Sequence, residues 1–579
     1  MVECRRGASR GGGPLRWSSA AEAPAEVVYR DRWWRWVFGL RGLDTPAGSQ
    51  ARASALDQQV EYTGGLASSR VGTRPAGGIH RRARKLARRH STSRWNTRRL
   101  SRSRPRRVVV VQRRVSAPDI DFDAIRAELG ISEDYGSQAQ NEAEHIADAH
   151  ADDREDHTGL PFVTIDPPDS MDLDQAIHLA ADADGYVVNY AIADVGALVV
   201  PEGALDQESR RRGTTFYFPD GSVPLHPRVL SEGAGSLLPE QIRPAVLWTI
   251  RVAHDGAVGD VAVRRALVRS VAKLNYAGVS ADAASNRLHP SIAALPEFGE
   301  MRRRFGQERG AIDLDLPEQE VVRDPTSGAW ALRLAPRYDS DLWNAQLSLL
   351  TGMCAGTIMR DAGIGLLRTV PPARDDAVAK VRALAVALGL DWPHDQPAGK
   401  FLASLPTQQP TTLAMMAGAS GLLRGSDYLA LPADSPPTST EHAGVGGAYA
   451  HVTAPLRRLG DRFATEVCLS VKANEVIPEW VRTALPTLPK LLRSADALGS
   501  KADRLSIDLA ESVVLADEVG SEFDAVVTHA PTEQRSAQIF LADRAVIASC
   551  TGDLAPAQQL RVRLVLADPS ARKVEFEPV

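Results

Sequence analysis

Between His80 and Arg107 the chain reads HRRARKLARRHSTSRWNTRRLSRSRPRR, with no acidic residue and no sustained apolar periodicity. Such a stretch cannot bury enough apolar surface to offset the entropy of ordering it, so a packed core has to be built from the downstream sequence. The charge distribution divides the chain at the same place. Residues 1–107 hold 24 Lys and Arg against 7 Asp and Glu, a leader of about +17 before a remainder of about −21, although the whole chain carries only −4. Two readings account for this leader. The expected one is translation from upstream of the true start, with ordered sequence beginning at Val108; the other is a basic arm whose arginines neutralise nucleic-acid phosphates. In both, residues 1–107 form a disordered basic leader.

The 579 residues are 44% hydrophobic and 24% charged, a globular balance that excludes fibrous and wholly disordered classes. Cys4, Cys354, Cys468 and Cys550 are far apart, with no Cys-x-x-Cys pair. Neither a disulfide scaffold nor a cysteine-rich zinc site is encoded, which suits a reducing compartment. The longest apolar stretches, such as residues 191–200, are too short to cross a bilayer, and Arg5, Arg6 and Arg10 are followed by Gly and Ser rather than by the apolar core of a signal peptide. A soluble, cytoplasmic protein with no membrane partner is expected.

Downstream of the leader, a strand-like run at 108–112 precedes Glu- and Ala-rich helical sequence at 121–129 and 138–151, a short N-terminal segment over residues 108–157. From Leu160 onward, short β-rich runs with turn signals alternate with longer helical stretches, clearest at 343–361, 375–388 and 459–474, which predicts a mixed α+β domain over 158–520. Alternation at 523–527, 537–541 and 560–566 predicts a small antiparallel barrel over 521–579.

The segment 162–177, FVTIDPPDSMDLDQAI, runs from a β-type stretch through a Pro-Pro turn into Asp166, Asp169, Asp172 and Asp174. Asp172 and Asp174 project to one side if locally extended, and the turn can fold Asp166 back toward them. Converging carboxylates repel unless a cation lies between them, and a hard divalent ion with oxygen ligands, Mg²⁺ or Mn²⁺, is the natural occupant. Taken alone, the same residues also read as an Asp-rich surface turn.

This segment is similar to the signature T-I-D-x5-D-x-D-D-A of the RNase II/RNase R family of exoribonucleases, the RNB domain: Thr164, Ile165, Asp166, Asp172, Asp174 and Ala176 fit. The resemblance continues through YAIADV (190–195), GALD (203–206), RGTTFYFP (212–219), PLHP (224–227) and LSEGAGSLL (230–238). Its distal end is YAHVTAPLRRLGD (449–461), which looks like the family's Y-x-x-x-T-S-P-I-R-R-Y-x-D. The resemblance implies an RNB catalytic domain, a mixed sheet with surrounding helices, followed by a small OB-like barrel that binds RNA. It implies a metal-dependent 3′→5′ exoribonuclease, acting as a monomer, that hydrolyses single-stranded RNA to nucleoside 5′-monophosphates without a small-molecule cofactor.

By the same resemblance Asp166, Asp172 and Asp174 take the metal and catalytic positions, for two ions in the family. Gln175 stands where the family has a fourth aspartate, which leaves a carbonyl ligand but removes one charge and puts the second ion in question. Arg457 matches the arginine that contacts the scissile phosphate, with Arg458 beside it. Tyr217 and Tyr276 match aromatics that stack on bases, Asp503 an acid near the terminal ribose, and His442 a His-x-G-x-G stretch. Further departures are Ala454 for the motif serine, Leu459 for its tyrosine, and NAQLSLLTG (344–352) for an acidic helix. About fifty residues separate Val108 from His157, too few for the cold-shock barrels that commonly precede the catalytic domain. A catalytically weak RNA-binding or regulatory protein is the alternative reading.

Overall fold

The computed structural model describes residues 120–579 apart from 325–326, 408, 434–436 and 438. The leader and the strand expected at 108–112 fall outside the described residues.

Eight strands frame the first half: β1 (Glu155–Asp156), β2 (Phe162–Ile165), β3 (Gln175–Asp182), β4 (Gly185–Ala193), the hairpin β5 (Phe216–Phe218) and β6 (Gly221–Val223), then β7 (Ile242–Ala253) and β8 (Val258–Leu274). The main sheet runs β1-β8-β2-β3-β4-β7, and β7 also pairs with β8. The earlier part of β8 is antiparallel to β7, whereas Ser270–Leu274 runs parallel to β2, so the pairings return on themselves. Strand β4, GYVVNYAIA, is buried along nearly its whole length. Val188, Tyr190 and Ile192 enter the principal core with Trp248 and Leu350, while Ala191 and Ala193 pack on the other face against Leu205 and Leu247. This is the period-two alternation of a strand covered on both sides.

Three long helices build on this frame: α1 (Asp339–Ala362), α2 (Leu459–Ala473) and α3 (Leu488–Val514). Helix α1 begins with a capping box between Tyr338 and Asp341 and ends at Gly363 in the left-handed conformation. Two glycines of α1 bear on the position of the site. A Cβ on Gly352 would lie 2.3 Å from the Tyr449 ring, and one on Gly356 would lie 2.5 Å from the Tyr449 backbone nitrogen. Only residues without a side chain let the segment leading to Arg457 approach α1 this closely. Helix α3 spans two cores, placing Leu488 and Leu492 with the sheet and Ala502, Ala510 and Val514 with the C-terminal barrel.

That barrel is closed by five strands, Glu522–His529, Ala537–Leu541, Val546–Cys550, Gln559–Asp568 and Lys573–Pro578, in the order first, second, third, fifth, fourth. Phe523, Val527, Ile539, Leu564 and Phe576 fill it. The fold is α+β with a small terminal barrel, as expected from sequence, except that the third and fifth barrel strands pair parallel where an all-antiparallel barrel was expected. The helix expected at 138–151 is shorter and covers only Ser137–Glu144. Asp148 accepts a hydrogen bond from the His150 backbone N–H and pairs with Arg154 at 2.5 Å, so local side-chain bonding takes the chain out of the helix. Among the described residues no helix is long and apolar enough to cross a membrane.

Candidate active site

Asp166 follows β2 directly, and its backbone N–H donates to the Leu274 carbonyl at the end of β8. The chain then turns through Pro167-Pro168 and re-enters the sheet at Gln175, the first residue of β3. Two staples hold this loop. Ser236, from the LSEGAGSLL stretch, accepts from the Leu173 N–H and donates to the Met171 carbonyl. Lys273 on β8 donates its ammonium hydrogens to the Pro168 and Ser170 carbonyls at 2.6 and 2.5 Å. Asp169 lies exposed on the turn.

Asp174 is only 2% exposed. Its Oδ1 accepts the Leu456 backbone N–H at 2.8 Å, and its Oδ2 lies 3.4 Å from Nε of Arg457. The two ends of the sequence motif, 282 residues apart, therefore meet at one carboxylate. The hairpin segment completes this wall: Thr214 and the Thr215 N–H both donate to the Arg457 carbonyl, and the Leu459 N–H donates to the Gly213 carbonyl. Half-buried Tyr217 sits on β5, two residues beyond that contact. Tyr276 opens the helix Tyr276–Ala284, accepts from Asn344 of α1 at 3.4 Å, and has its phenol pushed up by burial and then by the Asp166 carboxylate.

Burial, and then the charge of Asp172, pushes the Asp166 carboxyl up to about 7. Asp172 is raised to about 6, chiefly by burial, with Glu232 adding to the rise and Arg228 and Lys273 opposing it. Asp174 is held well above the usual range by burial and then by Asp172. Oδ2 of Asp166 and Oδ2 of Asp174 are buried without a hydrogen-bond donor among the described residues. Crowded carboxylates with orphaned oxygens are a donor set that fits a hard divalent cation. Among the described residues no three such groups converge into a ready-made cage. This is compatible with Mg²⁺, which is commonly held by one or two carboxylates and completed by water and substrate phosphate. Burial, and then Arg458, presses the Arg457 guanidinium down to about 9, still high enough to leave it cationic near neutrality.

The remaining sequence candidates have different surroundings. Gln175 donates from Nε2 to the Thr453 carbonyl at 2.7 Å, while its Oε1 accepts from Tyr190 at 2.5 Å and lies 3.4 Å from Ser348 Oγ. Arg458 clasps buried Asp461 through Nε and Nη2 at 3.0 and 2.5 Å, fixing the start of α2. Asp503 is half-buried on α3, one heptad beyond Asp496, which lies 3.4 Å from Arg368. His442 is buried with its ring 5.6 Å from that of Tyr449. Sequence reasoning missed Lys273, Tyr190, Ser348 and the Arg228–Glu232 pair near Asp172. Tyr190 lies inside the matched stretch YAIADV and Lys273 three residues before Tyr276, so side-chain alternation on β4 and the polar end of β8 were the available signals.

The RNB domain model matches residues 154–468, and the RNase II-type exonuclease C-terminal S1 domain matches residues 521–579. Ribonuclease R of Chlamydia muridarum is 27% identical over 366 residues, which cover 60% of this chain and 51% of that protein. Exoribonuclease 2 of Vibrio cholerae is 26% identical over 394 residues, covering 64% and 56%. The chain thus spans about half the length of these relatives. The apo form of Mycoplasma genitalium RNase R shares the fold with a TM-score of 0.71 at 18% identity, over 79% of this chain and 77% of that one. With more than half of its length matched by the RNB domain and its terminal barrel by the companion S1 domain, the chain belongs to the RNB family.

Proposed function

We propose that this protein hydrolyses single-stranded RNA from the 3′ end and releases nucleoside 5′-monophosphates, with Asp166, Asp172 and Asp174 holding a divalent cation, Mg²⁺ or Mn²⁺. The observation that carries the reading is the meeting of Asp174 and Arg457, a carboxylate and a cationic guanidinium 3.4 Å apart beside two further crowded aspartates. A bound ion would supply activation of water and neutralisation of phosphate charge. Arg457 would bind the scissile phosphate and stabilise the charge that grows on it, a task suited to a fixed planar fork. The Leu456 N–H orients Asp174, and the Lys273 staple holds the loop that presents Asp166 and Asp172. Tyr217 and Tyr276 flank this wall as stacking surfaces for the terminal bases. Residues 158–520 would carry the chemistry and 521–579 would guide RNA, in a monomer acting in the cytoplasm.

The test is digestion of a 5′-labelled single-stranded RNA by the full chain with Mg²⁺ or Mn²⁺, alongside Asp174→Asn. A ladder shortening from the 3′ end with the native chain and none with the variant supports the reading. Intact RNA that the native protein nevertheless retains would replace it with the RNA-binding alternative.

A further inference from the structure

The amide of Gln175 is committed on both sides. Its nitrogen donates to the Thr453 carbonyl, four residues before Arg457, and its oxygen accepts from Tyr190, with the Ser348 hydroxyl oxygen 3.4 Å from the same atom. Ser348 donates to Tyr190 at 2.9 Å and Tyr190 donates to Gln175, a relay that joins β3, β4, α1 and, through Thr453, the segment leading to Arg457. An amide oxygen has two lone pairs. Tyr190 fills one, and the Ser348 hydroxyl oxygen stands against the other.

We infer that Gln175 is a positioning residue that ties the aspartate loop to the arginine segment, and that the carboxylate cluster takes one divalent ion instead of two. The charge balance agrees. Three carboxylates at Asp166, Asp172 and Asp174 face Lys273 and Arg457, while the Arg228–Glu232 and Arg458–Asp461 pairs that also act on them each sum to zero charge. One divalent ion already turns this group net positive before a phosphodiester adds its single negative charge. A second would add two more positive charges where the chain supplies a neutral side chain. The hydrogen-bonded amide does by fixed geometry what a shared ion would otherwise do, holding β3 and the arginine segment in register. Neutral donors and acceptors can be fully satisfied there without a counter-charge.

The inference rests on the reading of the cluster as a cation site, and ion counting separates the two. Metal-free full-length protein is titrated with Mn²⁺, and free ion is followed by electron paramagnetic resonance. One ion per native chain, none with Asp174→Asn and two with Gln175→Asp is the expected pattern. Two ions on the native chain would overturn the one-ion inference while leaving the cation site standing; no ion at all would overturn both. Should Gln175→Asp fail to fold, the native count still decides. The tie is read separately by amide hydrogen exchange in Gln175→Met, which keeps chain length without the amide. Exchange at residues 453–457 should quicken about tenfold, the effect of losing roughly one buried hydrogen bond, and unchanged exchange there would overturn the positioning role.

Discussion

Asp166 offers a perturbation in which stability and activity should move in opposite directions. Its carboxyl has an ordinary value of 3.8 in the unfolded chain and is pushed up to about 7 in the folded one, by burial and then by Asp172. Between those values the folded protein holds a proton that the unfolded chain releases. The group's stabilising effect is therefore complete below about pH 4 and is lost as the pH rises through 7, the reverse of a salt-bridged aspartate. About three pH units correspond to roughly 4 kcal/mol, and the high effective dielectric that buried protein sites show brings this to about 2 kcal/mol. Asp166→Asn removes that charge and keeps the shape. In the presence of a chelator at pH 8 it should raise Tm by about 2 °C in a chain of this size. At pH 5 the gain should fall by more than half, and Mn²⁺ should erase it by stabilising the native protein alone. The assay is a thermal melt at both pH values with chelator and with Mn²⁺, paired with RNA digestion, which the variant should lose. A variant that melts below the native protein at pH 8 in chelator would refute the reasoning, because Asp166 would then be stabilising the fold as a charge.

Three further outcomes rest on named contacts. Arg457→Lys keeps the charge but loses the planar fork, and should lower turnover about 10²–10³-fold with a much smaller loss of RNA affinity, measured by single-turnover digestion and filter binding. Tyr217→Ala should weaken binding of single-stranded RNA by about 1–3 kcal/mol in fluorescence anisotropy while leaving Mn²⁺ binding unchanged. Arg265 bridges Asp194 and Glu466 through contacts of 2.6–2.8 Å, with all three largely buried, so Arg265→Met should cost about 3–5 kcal/mol in denaturant unfolding by stranding Glu466, while Asp194 keeps Arg154 at 2.9 Å.

The parts of this molecule that were legible in sequence are those in which a local pattern reflects a local cause. Helix α2 was expected over 459–474 and is observed at Leu459–Ala473, and the second barrel strand was expected over 537–541 and is observed at Ala537–Leu541. Helix α3 was missed, although it is the longest helix among the described residues. Pro489 falls in its first turn, where proline is tolerated, but Gly499 and several serines dilute its propensity, and packing against both cores is what sustains it. The barrel strands Val546–Cys550 and Lys573–Pro578 were also missed, being short and completed only by their neighbours.

At the site, the aspartates and Arg457 stood out because a motif carries them. Their supports did not, since the Leu456 N–H, Ser236, Lys273, Tyr190 and Ser348 reach the loop from distant positions in the chain. Gln175 shows the limit most clearly. As a residue type it offers a carbonyl ligand, and only the fold shows that Tyr190, Ser348 and Thr453 already occupy the amide. Arg458 is similar: sequence places it next to Arg457, whereas the start of α2 directs it onto Asp461.

The most direct measurement is the chemistry of the released product. Single-stranded RNA is digested by the full chain with Mg²⁺ or Mn²⁺ in water enriched in oxygen-18, and the products are read by mass spectrometry. Nucleoside 5′-monophosphates carrying one heavy oxygen on the phosphate, absent with Asp174→Asn, are the predicted result. Nucleoside 3′-phosphates or 2′,3′-cyclic phosphates would show that the ribose hydroxyl, not water, attacks the phosphorus, and would contradict the account.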